Sequence, residues 1–92
     1  MKLLVCLAIL VVCSSAQEIT VAAAADLRPA MEEVIAKFQQ SHPGAGVKVS
    51  YGSSGNFFQQ IQNGAPFDLF FSANVDYPKK LESLGLVVPG SY

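Results

Sequence analysis

The 92-residue chain has no tryptophan and a single histidine, and both of its cysteines, Cys6 and Cys13, fall within the first sixteen residues. Beyond that point there is no thiol to form a disulfide framework, to act as a nucleophile or to ligate a metal. Basic charge is scarce as well. From residue 17 onward Arg28, Lys37, Lys48, Lys79 and Lys80 face seven carboxylates, a net charge of −2, with no basic cluster beyond Lys79-Lys80. That balance argues against nucleic acid as a partner. A small anion is not excluded, because neutral donors and helix ends can hold one without a basic surface. The phosphate-loop signature is missing too, since no Gly-Lys-Ser or Gly-Lys-Thr occurs.

The start of the chain reads as a secretory signal, residues 1–16. Lys2 is a short basic region, Leu3 to Val12 an apolar run, and Ser14-Ser15-Ala16 a small-residue cleavage site. The apolar run falls short of the about 20 residues that span a bilayer. Residues 17–92 remain for one small domain.

Strand and helix signals alternate through those residues. Ile19–Ala23 is an apolar run of strand length. After it, Leu27, Met31, Val34, Ile35 and Phe38 recur on one helical face, opposite Arg28, Glu32, Glu33, Lys37 and Gln40. Asp26 is the expected N-cap of this helix, with Pro29 in the first turn, and Ser41-His42-Pro43-Gly44 ends it. Val47–Tyr51 is a second strand, and Gly52–Asn56 turns into a second helix that runs to about Gln62 and stops at Asn63-Gly64, with Gly64 left-handed. Phe67–Ser72 reads as a buried parallel strand. Asp76 caps a third helix, with Leu81 and Leu84 inward. The expected class is α/β with a mostly parallel sheet and right-handed crossovers.

In such sheets ligands sit at the carboxyl ends of the strands. The turns expected there are Ala24–Asp26, Gly52–Asn56 and Ser72–Asp76. Two helix N-termini with small residues and hydroxyls, and no metal-ligand cluster, suit a small oxyanion. For Ser53-Ser54 alone, simple helix capping is the plainer reading. A secreted serine hydrolase is the alternative from another class, with Ser54 as nucleophile. Against it, Asn56 stands where a nucleophile elbow requires glycine, and His42 lies at the far end of the first helix. Asp68 and Asp76 are read as structural rather than as an acid/base pair, and Glu32-Glu33 as surface charge.

Three segments in order, Ile19-Thr20-Val21 with Ala22 to Leu27, Tyr51-Gly52-Ser53-Ser54-Gly55, and Asn63 to Ala73 (Asn-Gly-Ala-Pro-Phe-Asp-Leu-Phe-Phe-Ser-Ala), closely resemble the periplasmic molybdate-binding proteins of bacterial molybdate ABC transporters. The resemblance covers nearly all of residues 17–92. It implies part of a lobe of a periplasmic type II solute-binding fold, with an oxyanion held by hydrogen bonds alone. Molybdate or tungstate, nearly equal in size, is the implied ligand, another small oxyanion the alternative, and no cofactor is implied. It also implies a monomer that hands its ligand to an inner-membrane permease and its ATPase. Carried over, the oxyanion-binding residues are Asp26 in the first loop and Ser53, Ser54 and Gly55 in the second. Ser54 would be the direct hydroxyl and amide donor. Asp26 stands where better-known members have serine. Its side chain is expected to cap the first helix, leaving backbone N–H groups to the ligand. Relatives of this kind are more than twice as long, so residues 17–92 are expected to be the first lobe, cut short.

Overall fold

The computed structural model describes residues 17–92; the expected signal, with both cysteines, lies outside them. Three strands, β1 (Gln17–Ala24), β2 (Ala45–Gly52) and β3 (Leu69–Phe71), alternate with three α-helices, α1 (Arg28–Ser41), α2 (Ser54–Gln62) and α3 (Asp76–Ser83). A 3-10 turn, Ala25–Leu27, joins β1 to α1. The sheet is wholly parallel in the order β2-β1-β3, with β1 central.

Strand β1 is apolar throughout its second half because it is covered on both sides. Val21, Ala22, Ala23 and Ala24 are all buried. Successive side chains of a strand alternate between faces. On one face Ile19 and Val21 meet Met31, Ile35 and Phe38 of α1 along an apolar groove that also reaches Val47, Leu69 and Phe71. On the other, Phe57 of α2 is buried, edge-on to Phe67 at 5.5 Å and to Phe70 at 6.5 Å. Helix α3 packs beside α2 through Phe58 and Tyr77, 5.1 Å apart, and buries Leu81. Helices on opposite faces are what right-handed crossovers from β2 and from β1 around a central strand require.

Register is held at the start of β3 by a reciprocal pair. The Asp68 N–H donates to the Thr20 carbonyl at 2.7 Å, and the Thr20 N–H donates to Asp68 Oδ2 at 2.8 Å. Gly64 (φ 95°) ends α2 in the left-handed region, as expected.

Four expectations need correction. Phe67–Ser72 is not a long buried strand: β3 has three residues, and Leu69 and Phe71 are exposed, because this edge strand is paired on one side only, with β1. Leu84 is exposed as well. It forms the C-cap after the last residue of α3, and the chain turns away from the helix at the next residue, Gly85 (φ 74°). Asp26 does not cap α1. The chain enters the 3-10 turn directly from Ala24, an extended residue (φ −58°, ψ 140°) with no side-chain acceptor, so Asp26 already lies inside the turn. Asp76 likewise is the first residue of α3 rather than its cap. Its N–H donates to Asn74 Oδ1 at 2.8 Å, so asparagine does the work assigned to the aspartate.

Candidate functional site

The parallel register sets Ala24 against Gly52 and Ala23 against both Tyr51 and Phe71. The three turns that follow the strands therefore leave the sheet side by side at its carboxyl edge. Buried alanines at the end of β1 keep bulk away from this edge, so two helix starts can approach one another.

The second turn is the more tightly built. Ser53, extended at φ −82° and ψ 142°, caps α2: its Oγ accepts from the Asn56 N–H at 3.1 Å. Ser54, the first residue of α2, is buried, and its Oγ accepts from the Ala73 N–H at 2.9 Å, linking the second turn to the third. A serine hydroxyl has one proton and two lone pairs. With Ala73 occupying a lone pair, the Ser54 proton remains available for donation. The Ser54 and Gly55 N–H groups belong to the first helical turn, where no intrahelical acceptor exists, and the positive end of the helix dipole lies there. Gly55 is backed by Tyr77: a Cβ at residue 55 would stand 3.0 Å from the tyrosine Oη, a tight contact at which the tyrosine would have to give by a few tenths of an ångström. Gly52 is tight for a similar reason, with the Phe57 ring 3.3 Å from the place of a Cβ.

The third turn is held by its own hydroxyl. Ser72 Oγ donates to the Asn74 carbonyl at 2.6 Å and accepts from the Asn74 N–H at 3.0 Å. The first turn, Ala25–Leu27, has no side-chain cap, and Asp26 is exposed. Of the four expected site residues, Ser53, Ser54 and Gly55 form one short segment at the carboxyl edge, and Asp26 lies on the neighbouring turn.

Ser54 and His42 are not brought together. His42 ends α1, where its ring stacks on Phe38 at 4.5 Å and Nδ1 lies 3.2 Å from the Phe38 carbonyl. A 14-residue helix separates it from the carboxyl edge, roughly 20 Å at the rise of an α-helix. Asp68 is engaged with Thr20 at the opposite end of β3. Among the described residues no three His, Cys, Asp or Glu side chains gather as a metal site, and no helix is long and apolar enough to cross a membrane.

Two features escaped sequence reasoning. One is the Ser54–Ala73 bond, which needs the third turn to be placed beside the second. The other joins residues read as surface charge: the Arg28 guanidinium lies 4.2 Å from the centre of the Tyr51 ring, and the Tyr51 hydroxyl donates to Glu32 Oε2 at 3.0 Å. The i, i+4 spacing of Arg28 and Glu32 was a usable signal, but only with the register that brings Tyr51 beside α1. Partial burial of the phenol, then the hydrogen bond and charge of Glu32, raise the Tyr51 pKa above its ordinary 10.0, with Arg28 acting the other way.

Comparison with known proteins identifies the scaffold. Residues 19–92 match the family model of the bacterial extracellular solute-binding proteins. The chain belongs to this family. Its relatives include the molybdate-binding protein ModA of Azotobacter vinelandii, 41% identical over 78 residues that make up 85% of this chain and 31% of the relative. ModA of Rhodobacter capsulatus is 40% identical over the same shares of the two chains. Among solved structures, the periplasmic molybdate-binding protein of Azotobacter vinelandii superposes with a TM-score of 0.74 at 38% identity, covering 79% of this chain and 31% of that one. The chain thus spans about a third of the length of these relatives. The family is one of solute-binding proteins.

Proposed function

We propose that this solute-binding chain contributes an oxyanion site for molybdate or tungstate to an ABC importer, working in the periplasm and passing its ligand to a membrane permease driven by an ATPase. The observation that carries the reading is the pair of turns on adjacent strand ends, Ala24 beside Gly52, with Ser54 and Gly55 in the first turn of α2 and the Ser54 hydroxyl accepting from Ala73, which leaves its proton to donate. Ser53 contributes by capping α2 rather than by contact. Asp26 offers its backbone N–H and, with its side chain free of capping, a carboxylate that opposes a dianion. Residues 17–92 serve as the first lobe, and the protein acts as a monomer.

All of these donors are neutral. They suit an anion stripped of water and held by hydrogen bonds, where each charge-assisted bond exceeds a neutral one in strength. The relatives named for molybdate support that ion, and tungstate follows from its nearly equal size.

The test is thermal unfolding of the protein as expressed from its own gene, with molybdate, with sulfate and without either. A ligand at about 100 times its dissociation constant stabilises the folded state by about 2.7 kcal/mol. A rise in midpoint with molybdate and little with sulfate is expected. A well-folded sample that responds to neither ion rejects the reading.

A further inference from the structure

The cluster of Arg28, Tyr51 and Glu32 lies outside the donor set, yet it spans the two turns that carry it. Tyr51 is the last residue of β2 but one, immediately before Gly52-Ser53-Ser54. Arg28 is the first residue of α1, immediately after the Ala25–Leu27 turn. The guanidinium lies over the phenol ring at 4.2 Å, and one helical turn further along Glu32 accepts the phenol proton at 3.0 Å. Arg28 is not engaged in an ion pair: among the described residues only Glu18 and Lys48 form one, at 3.9 Å. The aromatic ring is therefore its partner, an arrangement favoured by the planar, weakly hydrated guanidinium.

We propose that Arg28, Tyr51 and Glu32 form a positioning clamp that sets the separation and angle of the two oxyanion turns. This rests on the oxyanion reading above. The first turn has no side-chain cap of its own, whereas the second is held by Ser53 and Ser54. The β1–β2 ladder fixes the strand ends, Ala24 beside Gly52, and beyond them something other than capping has to hold the first turn against the second. The clamp does so by gripping the residue that precedes one turn with two residues of the helix that follows the other. Tyr51 is a ring held at both ends: its face takes the cation and its hydroxyl is tied to the carboxylate. A ligand that must accept bonds from both turns reads their spacing directly, so loosening the clamp weakens binding more than it weakens the fold.

The test uses the protein as expressed from its own gene and measures molybdate affinity by calorimetric titration, beside the unfolding midpoint without ligand. Tyr51→Phe keeps the ring beneath Arg28 and loses only the Glu32 bond, so affinity should fall about 2- to 3-fold. Tyr51→Leu removes both contacts and should weaken binding by about tenfold or more. Arg28→Gln, at an exposed position where folding is not at risk, should also weaken it severalfold with little change in midpoint. Arg28→Lys should not restore affinity, because a lysine keeps the charge without the planar stack. Wild-type affinity in folded Tyr51→Leu or Arg28→Gln overturns the clamp while leaving the oxyanion reading intact, and should Tyr51→Leu not fold, Arg28→Gln alone decides. Affinity restored fully by Arg28→Lys would also overturn it, since charge rather than position would then be what matters. A wild-type protein that binds no molybdate overturns both.

Discussion

The first and second turns at the carboxyl edge solve one problem in two ways. After β2 the chain changes direction at a serine that caps the helix, followed by a buried serine bonded to the third turn. After β1 it changes direction through a 3-10 turn with no cap, behind four buried residues. One turn is ordered by side-chain hydrogen bonds close to the donors. The other is ordered from outside, by packing beneath it and by contacts of the helix that follows. Equivalent places in a parallel sheet thus need not share chemistry, and substitutions in the two turns should have different signatures.

Ser54 is where the largest effect is expected. Ser54→Ala removes the hydroxyl donor and leaves the Ala73 N–H without its acceptor. Loss of one hydrogen bond costs about 1 kcal/mol of stability, and molybdate affinity should fall at least tenfold in a titration. Gly55→Ala tests the backing by Tyr77. The added methyl meets the tyrosine Oη at 3.0 Å, and an overpacked contact of this kind costs on the order of 1–3 kcal/mol. Shortening the neighbour with Tyr77→Phe should recover part of the loss, which a double-mutant cycle by denaturant unfolding can read. Ser53→Ala should cost about 1 kcal/mol through the lost cap and should lower affinity less than Ser54→Ala. If Ser53→Ala harmed binding as much, the assignment of capping to one serine and contact to the other would fall.

Asp26→Ser should behave oppositely. No cap is lost, so the change in unfolding free energy should stay within about 0.5 kcal/mol, while removal of a carboxylate beside a dianion should preserve or raise affinity. A large loss of stability would mean that the first turn depends on its aspartate and that the contrast between the turns is misdrawn. The smallest effect concerns pH. The phenol of Tyr51 holds its proton more firmly in the folded state than in the unfolded chain. Its contribution to stability is complete below pH 10 and is lost as pH rises through the higher folded-state value. The Tyr51→Phe variant should lack that alkaline component in unfolding curves measured on both sides of pH 10.

Much of this was legible in residue patterns, and the exceptions have physical causes. Strand and helix alternation followed from hydrophobic period, and the Gly64 stop from the need for positive φ. The placement of Ser53, Ser54 and Gly55 at the carboxyl edge followed from the parallel topology. Asp26 and Asp76 misled because a good capping residue near a helix start was assumed to occupy the cap itself. A 3-10 turn in one case and Asn74 in the other moved the boundary by a residue or more. Apolar composition predicted burial of Leu69, Phe71 and Leu84, whereas burial depends on neighbours that composition does not name. Ser54–Ala73 and Tyr51–Glu32 each join residues 19 apart, a distance at which no local pattern speaks.

The reciprocal bonds between Thr20 and Asp68 bear on the order in which the sheet assembles. Strand β1 finds β2 across 28 residues of chain, Gln17 opposite Ala45, but finds β3 across 48, Val21 opposite Leu69. On loop-closure entropy alone the longer search costs about 0.5 kcal/mol more, and β3 brings only three residues to repay it. The third strand is therefore expected to dock last and to leave first, with the Thr20–Asp68 latch setting how long it stays. In hydrogen–deuterium exchange, amides of Leu69 and Phe71 should trade their protons ahead of those in β1, and Asp68→Ala should widen that gap.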